Sequence, residues 1–168
     1  MPTKSLKPKT QGQKIILGID PGLADAGFGV IKKENNRLQV IDYGNIKTKA
    51  KVPDETRLTE IDQALTKLIK KYQPDVLGVE KLFFCKNIKT AMAVGQARGV
   101  IMLAGGKHGL KVLEYTPLQV KQALTGYGKA DKKQIQQMVK IILGLKQIPK
   151  PDDAADALAI AICCANSI

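Results

Sequence analysis

The stretch from Pro151 to Ala165, PDDAADALAIAICCA, constrains this chain more than any other. Pro149 and Pro151 stand ahead of a run of Ala, Leu, Ile and Cys that reads as a helix over 152–165. That helix is apolar nearly all round, and a helix of this kind is buried. It nevertheless carries Asp152, Asp153 and Asp156. Asp152 reads as the N-cap, and acids in a first turn complement the helix dipole. Asp153 and Asp156 are spaced i, i+3 and so project from one face. Capping accounts for one acid or two but leaves Asp156 unexplained, because an uncompensated buried carboxylate costs several kcal/mol.

Two strand-like runs repeat the anomaly. KIILGID, 14–20, heads into a core and ends on Asp20; DVLGVE, 75–80, does the same and ends on Glu80. Asp20-Pro21-Gly22 is also a turn signal, since Pro presets φ and Gly accepts positive φ. Glu80 taken alone reads equally as the first solvated residue after its strand.

The rest of the chain supplies a frame. Strands over 27–33 and 37–46 follow the first, joined by the hairpin-sized PGLADAG and ENN. A helix over 53–75 sets Leu58, Ile61, Leu65, Leu68, Ile69 and Tyr72 on one face and is stopped by Pro74. A second helix, 87–105, is notable for Ala and Gly, and a fifth strand covers 110–115. A third helix starts near Thr116-Pro117 and is broken by TGYGKAD; a fourth runs from about 131 to 143. An antiparallel meander extended by βαβ units predicts an α/β fold, one mixed five-stranded sheet with helices on both faces. Residues 1–13 are polar, lysine-bearing and broken by Pro and Gly, so a flexible basic arm is expected ahead of one domain, 14–168.

Composition narrows the function. Lys and Arg number 27 against 15 acids, a net charge of +12, and such a field attracts polyanions. No apolar run reaches the roughly 18 residues of a membrane span, and no apolar segment follows the N-terminal lysines, so a cytoplasmic protein without a membrane partner is expected. Without a strongly amphipathic basic helix, nucleic acid is the leading partner. Cys85, Cys163 and Cys164 fit no metal or redox spacing and read as reduced, mostly buried hydrophobes. The single histidine, His108, reads as a solvated loop residue. One histidine removes His-rich zinc sites from consideration.

Two strands and one buried helix therefore deliver Asp20, Glu80, Asp153 and Asp156 toward one edge of the sheet, with no basic cluster beside them in sequence. Converging acids repel unless divalent cations hold them, and oxygen-only ligation suits Mg²⁺ or Mn²⁺. Two such ions roughly 4 Å apart clamp the attacking and leaving oxygens of a phosphodiester displacement. A basic protein with an all-carboxylate site points to a nuclease, polymerase or transposase-type enzyme.

ILGIDPG, VEKLFFCKN, GQARGV, QVKQALTGYGKADKKQIQQMV and DDAADALAIAI, in this order from about residue 14 to 165, resemble the RuvC family of bacterial Holliday junction resolvases. The resemblance implies an RNase H-like fold, a C2 homodimer, and Mg²⁺-dependent paired nicking of four-way DNA junctions that leaves 5′-phosphate ends. Asp20, Glu80, Asp153 and Asp156 match the family's catalytic, metal-binding acids, expected to hold two Mg²⁺ per subunit, with Mn²⁺ able to substitute. Some relatives carry histidine where Asp153 stands. An aromatic at Phe83 is implied as a wedge against an unpaired base, with Phe84 and Lys86 beside it. Lys121 and Lys132 match lysines that serve DNA binding and cleavage; Lys129 and Lys133 cluster with them, and Arg98 is a weaker candidate. The small-residue helix TAMAVGQARGVIMLAGG is implied in dimerisation, and a RuvA-RuvB branch-migration complex as a partner. The alternatives are another RNase H-like nuclease and a junction-binding protein that does not cut.

Overall fold

The computed structural model describes residues 12–81 and 88–168. Ten elements follow in order: β1 (Lys14–Asp20), β2 (Asp25–Glu34), β3 (Arg37–Lys47), α1 (Asp54–Tyr72), β4 (Val76–Glu80), α2 (Ile88–Lys107), β5 (Lys111–Tyr115), α3 (Pro117–Thr125), α4 (Lys132–Ile142) and α5 (Asp152–Asn166). The strands form one mixed sheet in the order β3-β2-β1-β4-β5. β1, β2 and β3 pair antiparallel, while β4 and β5 run parallel to β1. The expected mixed sheet with helices on both faces is what forms.

Strand alternation divides the core. Ile15, Leu17 and Ile19 of β1 join Leu77 and Val79 of β4 against α1 and α2, where Ile61, Leu65, Ala97 and Ile101 meet them. Ile16 and Val76 face the other way, into a cluster with α3, α4 and α5. On that second face the strands carry glycine, and α5 lies almost on the bare backbone. A Cβ on Gly18 would stand 2.3 Å from the Ala157 carbonyl oxygen, and one on Gly27 would stand 1.9 Å from that of Asp153.

The remaining differences from the sequence reading are local. The first helix ends at Tyr72, not at Pro74, because the residue before a proline is driven out of helical geometry; Gln73 takes φ 46° instead. Asn35 and Asn36 both take positive φ (48° and 63°), the geometry of a two-residue hairpin turn. β2 begins at Asp25, so the turn after Asp20 is shorter than expected. Residues 1–11 of the anticipated arm lie outside the described residues, as do Phe83, Phe84, Cys85 and Lys86.

Candidate active site

Register builds the site. Asp20 of β1 pairs with Gly27 of β2, and Gly27 pairs with Asn45 of β3, so all three lie on one face. On the other side Ile19 pairs with Val79, and one step further along these parallel strands stand Asp20 and Glu80. A row Asn45–Gly27–Asp20–Glu80 thus crosses the sheet on the face covered by α5. The gap at Gly27 admits the first turn of α5, which brings Asp153 and Asp156 over that row.

Ligand oxygens of Asp20, Asp153 and Asp156 lie within 4.8 Å of one another. Glu80 stands outside that triad but shares a cavity of about 240 Å³ with Asp20, Asp156, Lys121 and Lys132. A larger cavity, about 860 Å³, lies between the β2–β3 hairpin and the C-terminal ends of α4 and α5; no acid lines it. The acids gather at the smaller one.

Charge is concentrated there. Burial, then the charges of Glu80, Asp156 and Asp153, push the Asp20 carboxyl up to about 8. Burial and the Asp156 charge raise Glu80. Burial raises Asp156 as well, against the opposing pull of Lys132. Carboxyls this crowded favour a cation. The donor set is all oxygen, which fits Mg²⁺ or Mn²⁺ and fits poorly the softer metals that prefer nitrogen or sulfur.

Three expectations change in the structure. Asp152 is not the N-cap: Pro151 holds that position without a side-chain bond, and the Asp152 carboxylate faces Lys132 at 3.5 Å. Nor are the acids free of basic neighbours, since Lys132 also pairs with Asp156 at 3.2 Å. Lys132 opens α4, behind the Asp131–Gln134 capping box, where the helix dipole disfavours a cation; its two carboxylates offset that cost. Lys121 lines the cavity from α3, while Lys129 and Lys133 are exposed on the turn and on α4. Arg98 faces inward: its Nε donates to the Glu80 carbonyl at 3.1 Å, and its guanidinium pairs with Glu114. It braces the end of β4. Cys163 and Cys164 are buried and unbridged, as expected, and burial raises both thiols.

Asn45 was invisible to sequence reasoning. Its amide donates to Asp25 and, at 3.4 Å, to Asp153. The β2–β3 register joins Asn45 to Asp25, and the seating of α5 over Gly27 brings Asp153 to them; no local motif marks either.

Residues 16–164 match the family model described as crossover junction endodeoxyribonuclease RuvC. A protein of that name from Halothermothrix orenii is 59% identical over 153 residues, covering 91% of this chain and 93% of its own length. Among solved structures, T. thermophilus RuvC in complex with a Holliday junction substrate superposes with a TM-score of 0.84 at 36% identity, covering 89% of this chain and 92% of that one. The yeast mitochondrial Holliday junction resolvase, at 15% identity and a TM-score of 0.62 over 89% of this chain and 78% of its own, shares the fold alone.

Proposed function

This chain belongs to the RuvC family of crossover junction endodeoxyribonucleases, and from that premise we propose that Asp20, Glu80, Asp153 and Asp156 are its catalytic, metal-binding acids. It is a metal-dependent endonuclease that resolves Holliday junctions in recombination and repair. The observation that carries the site reading is the register row, which sets Asp20 beside Glu80 beneath the Asp-Ala-Ala-Asp turn of α5.

The four acids would hold two Mg²⁺ per subunit. When bound, such ions stabilise charge on a phosphodiester during in-line attack by water. The chain's own residues hold the carboxylates in place. The sheet fixes Asp20 and Glu80, Arg98 braces the backbone at Glu80, and Lys132 restrains Asp156 from α4. Lys121, Lys129 and Lys133 would grip phosphates without reading sequence. Phe83, backed by Phe84 and Lys86, would stack on an unpaired base at the crossover.

A junction needs two cuts related by near-twofold symmetry, and a C2 dimer supplies them. Helix α2 supports that reading. Ala97, Ile101 and Ala104 face the core. On the opposite side Ile88, Met92 and Leu103 are 74%, 63% and 60% exposed, with open space over Gly99 and Gly106. At 3.6 residues per turn these five fall within about 60° of arc. A second α2 would cover that face and leave two cavities under one twofold axis. Docking on a RuvA-RuvB motor is part of the same reading. No helix among the described residues is long and apolar enough to cross a membrane.

The experiment is cleavage of a synthetic mobile four-way junction and a matched linear duplex in Mg²⁺, with Asp20→Asn alongside. Paired symmetric nicks on the junction alone, absent from the variant, are expected. Equal cutting of the linear duplex would refute junction selectivity, and an active variant would refute the role of Asp20.

A further inference from the structure

The structure assigns to Asn45 the task of positioning Asp153, a role that rests on the reading of Asp153 as a catalytic acid. We infer that Asn45 clamps this carboxylate from the β3 side, opposite the clamp that Lys132 places on Asp156.

Asn45 lies in the row of residues that ends on Asp20 and Glu80, separated from Asp20 only by Gly27. Because Gly27 has no side chain, the Asp153 backbone settles directly over it, and the Asp153 carboxylate comes between Asp20 and Asn45. The Asn45 amide nitrogen donates to Asp153 at 3.4 Å and to Asp25 on the neighbouring strand. Both partners are carboxylates and only accept, so the NH₂ end of the amide must face them. Its oxygen, Oδ1, is then left buried with no partner among the described residues. An Asn kept only to fill space would not be held in an orientation that strands a polar atom. Its two carboxylate partners fix that orientation.

The chemistry of the two clamps differs. Lys132 neutralises part of the charge on Asp156. Asn45 is a neutral donor, so it restrains Asp153 without bringing a countercharge. Asp25 anchors the far side of the amide and lies 4.0 Å from the exposed Lys47 ammonium. Groups that orient a metal ligand in this way commonly change metal affinity or activity by roughly 10–100-fold when removed.

The test compares wild type with Asn45→Leu, close to isosteric but unable to donate, and with Asn45→Ser, which keeps a shorter donor. Mn²⁺ is titrated into the free proteins and the rise in Tm is followed. Junction affinity in EDTA and the single-turnover nicking rate are measured in parallel. For Asn45→Leu the Mn²⁺ midpoint should rise and the nicking rate fall, each about 10-fold. Junction affinity should change less than twofold. Asn45→Ser should lie between. In an Asp153→Asn background the Asn45→Leu change should add nothing to the shift in Mn²⁺ midpoint. If both Asn45 variants match wild type in midpoint and rate while Asp153→Asn is inactive, the clamp is refuted and the site reading stands. If Asp153→Asn cleaves like wild type, the site reading falls and takes the clamp with it. Should Asn45→Leu fail to fold, the Asn45→Ser midpoint decides in the same way.

Discussion

Asp20→Asn is expected to make the metal-free protein more stable, by an amount that grows with pH. Burial and three neighbouring carboxylates lift the Asp20 carboxyl from 3.8 to about 8. Between those values the folded state keeps a proton that the unfolded chain has already released, so stability falls as pH rises and the loss is complete above about 8. At 1.36 kcal/mol per pH unit, the cost of carrying Asp20 is about 2 kcal/mol at pH 5 and about 5 kcal/mol at pH 8. Asparagine does not titrate and escapes that cost. The stability gap between variant and wild type should therefore widen by several kcal/mol from pH 5 to pH 8, or on the order of 10 °C in Tm for a chain of this size. Glu80 and Asp156 are also raised, so a weaker fall with pH should persist in the variant. Urea or thermal unfolding of both proteins in EDTA across this range measures the gap. Saturating Mg²⁺ should close it, since only the wild type retains the full set of acids for the ion. A gap that stays flat from pH 5 to pH 8 would refute the convergence of charge on Asp20.

Gly18→Ala should cost several kcal/mol, because the new Cβ would stand 2.3 Å from the backbone carbonyl of Ala157 and neither side can yield. Unfolding midpoints in urea check this; a loss below about 1 kcal/mol would mean that α5 is free to lift off the sheet. Leu103→Asp, on the exposed face of α2, should convert a dimer to monomers in sedimentation and abolish paired nicking without lowering Tm in dilute solution. Unchanged sedimentation would send the dimer interface elsewhere. Lys129→Ala with Lys133→Ala should weaken junction binding and flatten its dependence on log[salt] by about 1.8, at roughly 0.9 for each phosphate no longer neutralised. An unaltered slope would remove these two lysines from the DNA surface.

Whatever rests on local pattern was legible in the sequence. The strands ending on Asp20 and Glu80, the Asp153–Asp156 spacing and the buried character of α5 follow from alternation, helical period and the cost of burying charge. The site's acids came from the same logic, because a carboxylate in an apolar element is an anomaly wherever it falls. What the sequence withheld was lateral. Asn45 and Asp25 lie twenty residues apart, and both are more than a hundred from Asp153; only the pairing of β2 with β3 and the packing of α5 on that sheet make them neighbours. Lys132 stands out in the sequence only through its resemblance to lysines that serve DNA binding and cleavage; the turn of α3 into α4 is what carries it to the acids. Arg98 likewise showed its charge in the sequence but not its direction. Asp152 was misplaced by one position, since a proline held the cap.

The bare glycine seat under α5 has a mechanical meaning. Side chains between a helix and a sheet act as compliant padding: rotamers shift, and small changes in spacing are absorbed. Here that padding is thinned to nothing at Gly18 and Gly27, so helix and sheet meet as two rigid lattices. The spacing between the backbones that carry Asp20 and the acids of α5 is consequently stiff. A shift by a helical turn or by a two-residue strand slip would dismantle the register that makes the site. Redesign of this centre is therefore better aimed at the ligand side chains than at the spacing of the elements that carry them.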